Sequence, residues 1–224
     1  MTKSIEDLFV YLASGSDVLF LLFFIILFRK IKSNGLIALG VNCACALVLN
    51  YFIEFSEIND PLFYLIFTFL EYAFFSYFLY INIYNLKFKR FILVSSVLFT
   101  VFMIFYFAFA NPKSLDSIPV GIETILVLIF SFFYLFEELN RSSPDVIYKK
   151  YQFPVVTGIM IYLAGSFFIY VYASQVSHDT IAQYWFLTNA FYVLKNLLFI
   201  LSLFMSVKRS NIKPTSTELR PYLN

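Results

Sequence analysis

Histidine is almost absent from this chain: His178 stands alone among 224 residues. That excludes zinc sites assembled from several imidazoles, including the HExxH metalloproteases and the seven-span hydrolases that hold zinc through three histidines. His178 is expected in a solvated outer loop, which is the wrong place for a serine–histidine dyad inside a membrane. Cysteine is scarce as well. Cys43 and Cys45 point to different faces of a helix, cannot easily pair with each other, and read as small buried apolar side chains. With only six glycines the chain offers no P-loop and no Gly-rich dinucleotide motif. Charge is the most telling shortage: Asp, Glu, Lys and Arg make up 13% of the residues, against about 25% in soluble domains. No metal and no cofactor is expected, and the balance is against an enzyme. A di-acid hydrolase through Asp17 and Glu123 is the one catalytic arrangement the residues suggest.

What fills the chain instead is apolar. Hydrophobic residues make up 61% of it, and the mean hydropathy is +0.80. Long apolar runs lie near 8–28, 35–53, 62–83, 91–110, 119–139, 152–174 and 183–206. A bilayer core of ~30 Å needs about 20 such residues per helical span. The expectation is an all-α membrane protein with seven transmembrane helices. Residues 1–206 read as a single seven-span membrane domain, and 207–224 as a short, disordered cytoplasmic tail that could attach a partner. The longest connections, 111–118, 140–151 and 175–182, read as loops.

The few charges are sorted by side. Arg29, Lys30 and Lys32 follow the first span; Lys87, Lys89 and Arg90 follow the third. Arg141, Lys149 and Lys150 follow the fifth, and Lys208, Arg209, Lys213 and Arg220 the seventh. The alternate loops hold mostly acids: Glu54, Glu57 and Asp60, then Asp116 beside Lys113, then Asp179. Lys and Arg collect on the cytoplasmic side, so the N-terminus is expected outside and the C-terminus in the cytoplasm. The placement expected is the cytoplasmic (inner) membrane of a bacterium. The segment 1–7 lacks a basic n-region and the run after it is long enough to span, so a cleavable signal peptide is not expected. A net charge of +2 distributed this way says nothing of nucleic acid, and no nucleic-acid partner is expected.

Aromatic residues are abundant, with 31 Phe and 17 Tyr. Tyr51, Tyr84, Tyr148, Tyr151 and Tyr184 fall where interfacial belts belong, and the Phe stripes read as packing. Ser143-Pro144-Asp145 reads as a helix start. It leads into a short amphipathic stretch, 146–150, suited to anionic headgroups.

Four ionisable residues lie within the spans: Asp17, Glu71, Glu123 and Lys195. Each costs ~2.5–3.5 kcal/mol on insertion scales and is expected to face the bundle interior. Asp17, Glu123 and Lys195 stand about 12–14 residues before the cytoplasmic boundary, hence ~18–21 Å from it, and Glu71 fits the same layer. Asn42, Asn189 and Asn196 could join them. Three acids and one Lys cannot all be charged in a low dielectric. Lys195 is expected to pair with one or two acids, while at least one carboxyl keeps its proton. Two readings follow: a buried polar network that fixes helix register, or a ligand- or proton-binding site.

Topology permits a three-plus-one-plus-three arrangement with parallel repeats. Gly15-Ser16-Asp17 in the first span and Gly121-Ile122-Glu123 in the fifth are similarly placed. The Pro-Gln signatures of the sugar and amino-acid transporters with that topology are missing, since none of Pro112, Pro119 and Pro154 precedes Gln. Retinal binding is also disfavoured, although a Lys lies deep in the seventh span. Microbial rhodopsins carry an acid four residues before that Lys, where this chain has Phe191, and the third and sixth spans lack the other expected residues.

The segments 158–168 (GIMIYLAGSFF), Asn189 and 195–199 (KNLLF) resemble seven-helix membrane proteins of Bacteroidota-type bacteria. These are similar to the membrane sensory modules found ahead of histidine kinases. The resemblance implies a signalling role without an attached kinase. The expected function is therefore a sensory or signalling module acting through a cytoplasmic or membrane partner. The alternative is a proton-coupled small-solute transporter using Asp17, Glu71 or Glu123, and a homo-oligomer is compatible with either.

Overall fold

The structure is a computed structural model that describes residues 3–56, 61–109, 117–141, 147–173 and 178–211. Seven long α-helices account for nearly all of them: α1 (Lys3–Leu27), α2 (Asn34–Ser56), α3 (Pro61–Asn82), α4 (Leu86–Phe109), α5 (Ser117–Leu139), α6 (Gln152–Ala173) and α7 (His178–Asn211). All seven are long and apolar enough to cross a membrane, and no strand occurs among the described residues. A helix hydrogen-bonds its backbone internally, which is what a membrane span requires.

The helices begin and end where the sequence turns polar. A 3₁₀ turn, Phe28–Lys30, closes α1, and Ile31 is extended. Ser33 caps α2, its Oγ accepting from Leu36 N at 3.4 Å and its carbonyl from Ile37 N at 3.1 Å. Asn85 caps α4 in the same way, through Lys87 N at 2.9 Å and Lys89 N at 3.0 Å. At the ends of α3 and α5, Asn82 and Asn140 turn their amides back onto the carbonyls of Phe78 and Phe136. A second 3₁₀ turn, Ile147–Lys149, precedes α6; the helix start read at Ser143-Pro144-Asp145 lies outside the described residues.

The start of α7 differs from the expected loop over 175–182. The helix already runs at His178, which is its first residue, and it continues to Asn211, past the expected edge of the tail at 207. No Pro or Gly occurs between 175 and 213, so nothing in the chain breaks the helix when it leaves the apolar run.

Six helices close a ring in the order α1, α2, α3, α5, α6, α7 and back to α1. The closest pairings are α6 with α7 and α1 with α7, while α4 packs outside the ring on α3 and α5. Only Ile92, Phe99 and Met103 of α4 are buried, and its other faces are apolar and exposed, as suits a lipid-facing helix. The interior is lined by rings: Phe20, Phe75 and Phe199 meet edge-on, and Tyr72 lies 4.2 Å from Phe99. Glycine allows the tightest seam. A Cβ on Gly158 would come within 3.3 Å of Leu198 and of the Lys195 carbonyl, and one on Gly165 would overlap the Phe191 ring. Both glycines lie on the α7-facing side of α6, where small residues let two backbones approach.

Candidate functional site

One turn of α7 organises the interior. Tyr192, Lys195 and Asn196 stand at i, i+3 and i+4, so they share a face. Lys195 reaches α3, and the other two converge on α1. Lys195 Nζ lies 3.4 Å from Glu71 Oε1 on α3. Tyr192 donates its hydroxyl to both oxygens of Asp17 on α1, at 2.9 and 3.1 Å. Asn196 donates from Nδ2 to Asp17 Oδ1 and to Ser16 Oγ, each at 2.8 Å.

The remaining helices complete the layer. From α6, Tyr162 donates to Glu71 Oε2 at 3.2 Å. From α2, Cys43 directs its thiol at Asp17, with Sγ 3.4 Å from Oδ1. Asp17, Glu71, Glu123 and Lys195 are each 5% exposed or less, so bulk water does not screen them. Burial at this depth is tolerable only with partners, and Asp17 and Glu71 both have them.

Lys195 is held by more than its carboxylate. Its Nζ lies 3.8 Å from the Tyr192 ring centre, 4.4 Å from Tyr162, 5.6 Å from Phe75 and 5.8 Å from Phe199. A cation over an aromatic face gains from the ring quadrupole within ~6 Å. The 3.4 Å contact with Glu71 is longer than the ~2.7–2.9 Å of a tight charge-assisted hydrogen bond. The ammonium is thus shared between one carboxylate and a box of rings.

Glu123 stands apart. It is buried on α5 within electrostatic reach of Glu71 and Lys195, yet among the described residues no hydrogen-bond donor reaches its Oε1. Thr124 Oγ1, one residue on, is buried and equally without a partner among the described residues. The structure therefore joins four of the seven residues singled out in the sequence (Asp17, Glu71, Lys195 and Asn196) and sets Glu123 beside them. Asn42 is buried on α2 and Asn189 half-buried on α7; among the described residues neither is hydrogen-bonded to the cluster. Sequence reasoning missed Ser16, Cys43, Tyr162 and Tyr192, and it read Phe75 and Phe199 as packing alone. Tyr192 was legible from its spacing to Lys195 and Asn196.

A second polar layer crosses the basic end of the bundle. Glu137 on α5 accepts from the main-chain N–H of Tyr84, at 2.9 and 3.0 Å, and of Asn85, at 3.1 Å. Glu138 pairs with Lys150 and with Arg141, whose guanidinium covers the Tyr84 ring at 3.9 Å. Tyr151 donates to Ser33 at 3.0 Å, and Gln152 to Asn82 at 3.2 Å. Of the tyrosines read as interfacial, Tyr51, Tyr84 and Tyr148 are exposed, Tyr151 is half-buried in this layer, and the Tyr184 side chain lies outside the described residues.

Among the described residues no group of His, Cys, Asp and Glu could hold a metal ion. Compared with known proteins, the chain matches no protein family, no curated protein and no solved structure.

Proposed function

We propose that this polytopic membrane protein is a sensory or signalling module in which α7 carries a change at the acid–lysine layer to a partner on the cytoplasmic side. One observation carries the reading. A single turn of α7 holds α1 through Tyr192 and Asn196 and α3 through Lys195, and the same helix runs unbroken to Asn211. Its 34 residues span about 50 Å. A small shift of such a rigid element at the layer arrives at its far end as a displacement. The basic clusters at one end support an outside N-terminus and a cytoplasmic C-terminus in a bacterial inner membrane. The outer position of α4 fits a three-plus-one-plus-three plan.

Cross-linking in native membranes tests this, comparing wild type with Lys195→Met. Signalling requires a stoichiometric partner whose capture by the wild-type chain is lost or altered in the variant. Recovery of the chain alone or only as a homo-oligomer, together with decay of an imposed pH gradient in proteoliposomes, would replace signalling with transport. Transport is favoured by one observation of its own: Glu123, a buried carboxyl with no donor at Oε1 among the described residues, is the kind of group a proton carrier uses.

A further inference from the structure

The three buried carboxyls of the layer are not equivalent. Asp17 receives Tyr192, Asn196 and Cys43, and Glu71 receives Lys195 and Tyr162. A carboxylate only accepts hydrogen bonds, and these two have donors to accept from. Glu123 is 2% exposed, and among the described residues no donor reaches its Oε1. An ionised carboxylate in that setting is the costliest arrangement the layer could contain; a protonated one is neutral and can itself donate.

The groups facing Glu123 leave it no cation of its own. From α3 come Glu71, which already holds Lys195, and Tyr72, whose hydroxyl is engaged with Ser96 of α4 at 3.0 Å. Tyr162 of α6 is turned to Glu71, and from α7 comes Lys195, in its box of rings. The ionisable residues of α4 apart from Tyr106 are Lys87, Lys89 and Arg90, all in its first turns at the basic end. One lysine serves three acids.

We propose that Glu123 is the proton-binding site of the layer, carrying the proton that allows three carboxyls to share one ammonium. This goes beyond the signalling reading and does not depend on it. Release breaks the Glu123 O–H bond, leaves the electron pair on the carboxylate and passes the proton to water. A third anion then stands in the layer and competes with Glu71 for the Lys195 ammonium. Proton occupancy at α5 thereby sets how firmly α7 is tied to α3.

Infrared spectroscopy of the purified full-length protein tests the assignment. At neutral pH the wild type is expected to show the C=O stretch of a protonated carboxyl. The stretch should be lost in Glu123→Gln and kept in Asp17→Asn. Labelling of the wild-type protein with dicyclohexylcarbodiimide, which attacks protonated carboxyls in apolar surroundings, reads the same site without a substitution. The adduct mapped by peptide mass spectrometry is expected on Glu123, several-fold above Asp17 and Glu71, and should decline as pH rises. Absence of the protonated-carboxyl stretch from the wild type, or an adduct chiefly on Asp17 or Glu71, overturns the proposal.

Discussion

The Lys195 ammonium and the Glu71 carboxylate, both buried, face each other across α7 and α3 at 3.4 Å. Removing one member of such a pair leaves the other charge stranded, which costs more than the pair itself contributes. Lys195→Ala is therefore expected to destabilise the protein by ~3–5 kcal/mol in denaturant unfolding in micelles. Adding Glu71→Ala should recover part of that loss, because the stranded carboxylate goes with it. Strict additivity of the two changes would show that the pair is not coupled.

Tyr192 does two jobs that substitution can separate. Its hydroxyl donates to Asp17 and its ring lies 3.8 Å from Lys195. Tyr192→Phe keeps the ring and should cost about 1.5–3 kcal/mol, the range for a hydrogen bond to a charged group. Tyr192→Leu also loses the ring face and should cost a further ~0.5–2 kcal/mol. Equal losses in the two variants would mean that the ring does nothing for the ammonium.

The spans were legible because a helix crossing lipid must be apolar for its whole length, and seven such runs leave one reading. Asp17, Glu71 and Lys195 were legible for the converse reason: charge in a span is costly enough to demand a partner. Asn42 and Asn189 show where this logic stops. Asn is tolerated in a helix without joining a network, and depth along a span does not say which way a side chain points. Cys43 and Tyr162 were invisible for a related reason: both residue types are common in apolar runs, and only the packing reveals which polar tip meets a carboxylate. The run at 183–206 matches the apolar stretch of α7, Trp185–Lys208, while the helix runs on to either side of it, because hydropathy marks the lipid boundary and not the end of a helix.

The α6–α7 seam should be sensitive to single methyl groups. Gly165→Ala would place a Cβ inside the Phe191 ring, and Gly158→Ala would crowd Leu198 and the Lys195 backbone. Overpacking of this kind costs ~1–3 kcal/mol, and at Gly158 it would also push Lys195 away from Glu71. Gly121→Ala is the matched control, because nothing lies within 4 Å of its Cβ position. There the higher helix propensity of Ala should leave stability unchanged or raise it by up to ~1 kcal/mol. A seam variant as stable as the control, measured in the same unfolding assay, would show that α6 and α7 are not in tight contact at these glycines.

Glu137 does for the α3–α4 turn what a capping residue does for a helix. Its carboxylate takes the main-chain N–H groups of Tyr84 and Asn85 from a different helix, tying the entry of α4 to the end of α5. Because these bonds are solvent-exposed, their loss should cost only about 0.5–1.5 kcal/mol. Local opening should respond more than global stability does. In Glu137→Ala, hydrogen exchange at the amides of Tyr84 and Asn85 is expected to accelerate about tenfold, the change that ~1.4 kcal/mol of local protection would give. Exchange deep in α3 and α5 should stay as in the wild type. Glu137→Gln separates charge from geometry, since its side-chain oxygen can still accept from one of the two amides. It should fall between wild type and Ala, and exchange in Gln as fast as in Ala would mean that the negative charge, rather than the reach of the side chain, holds the turn.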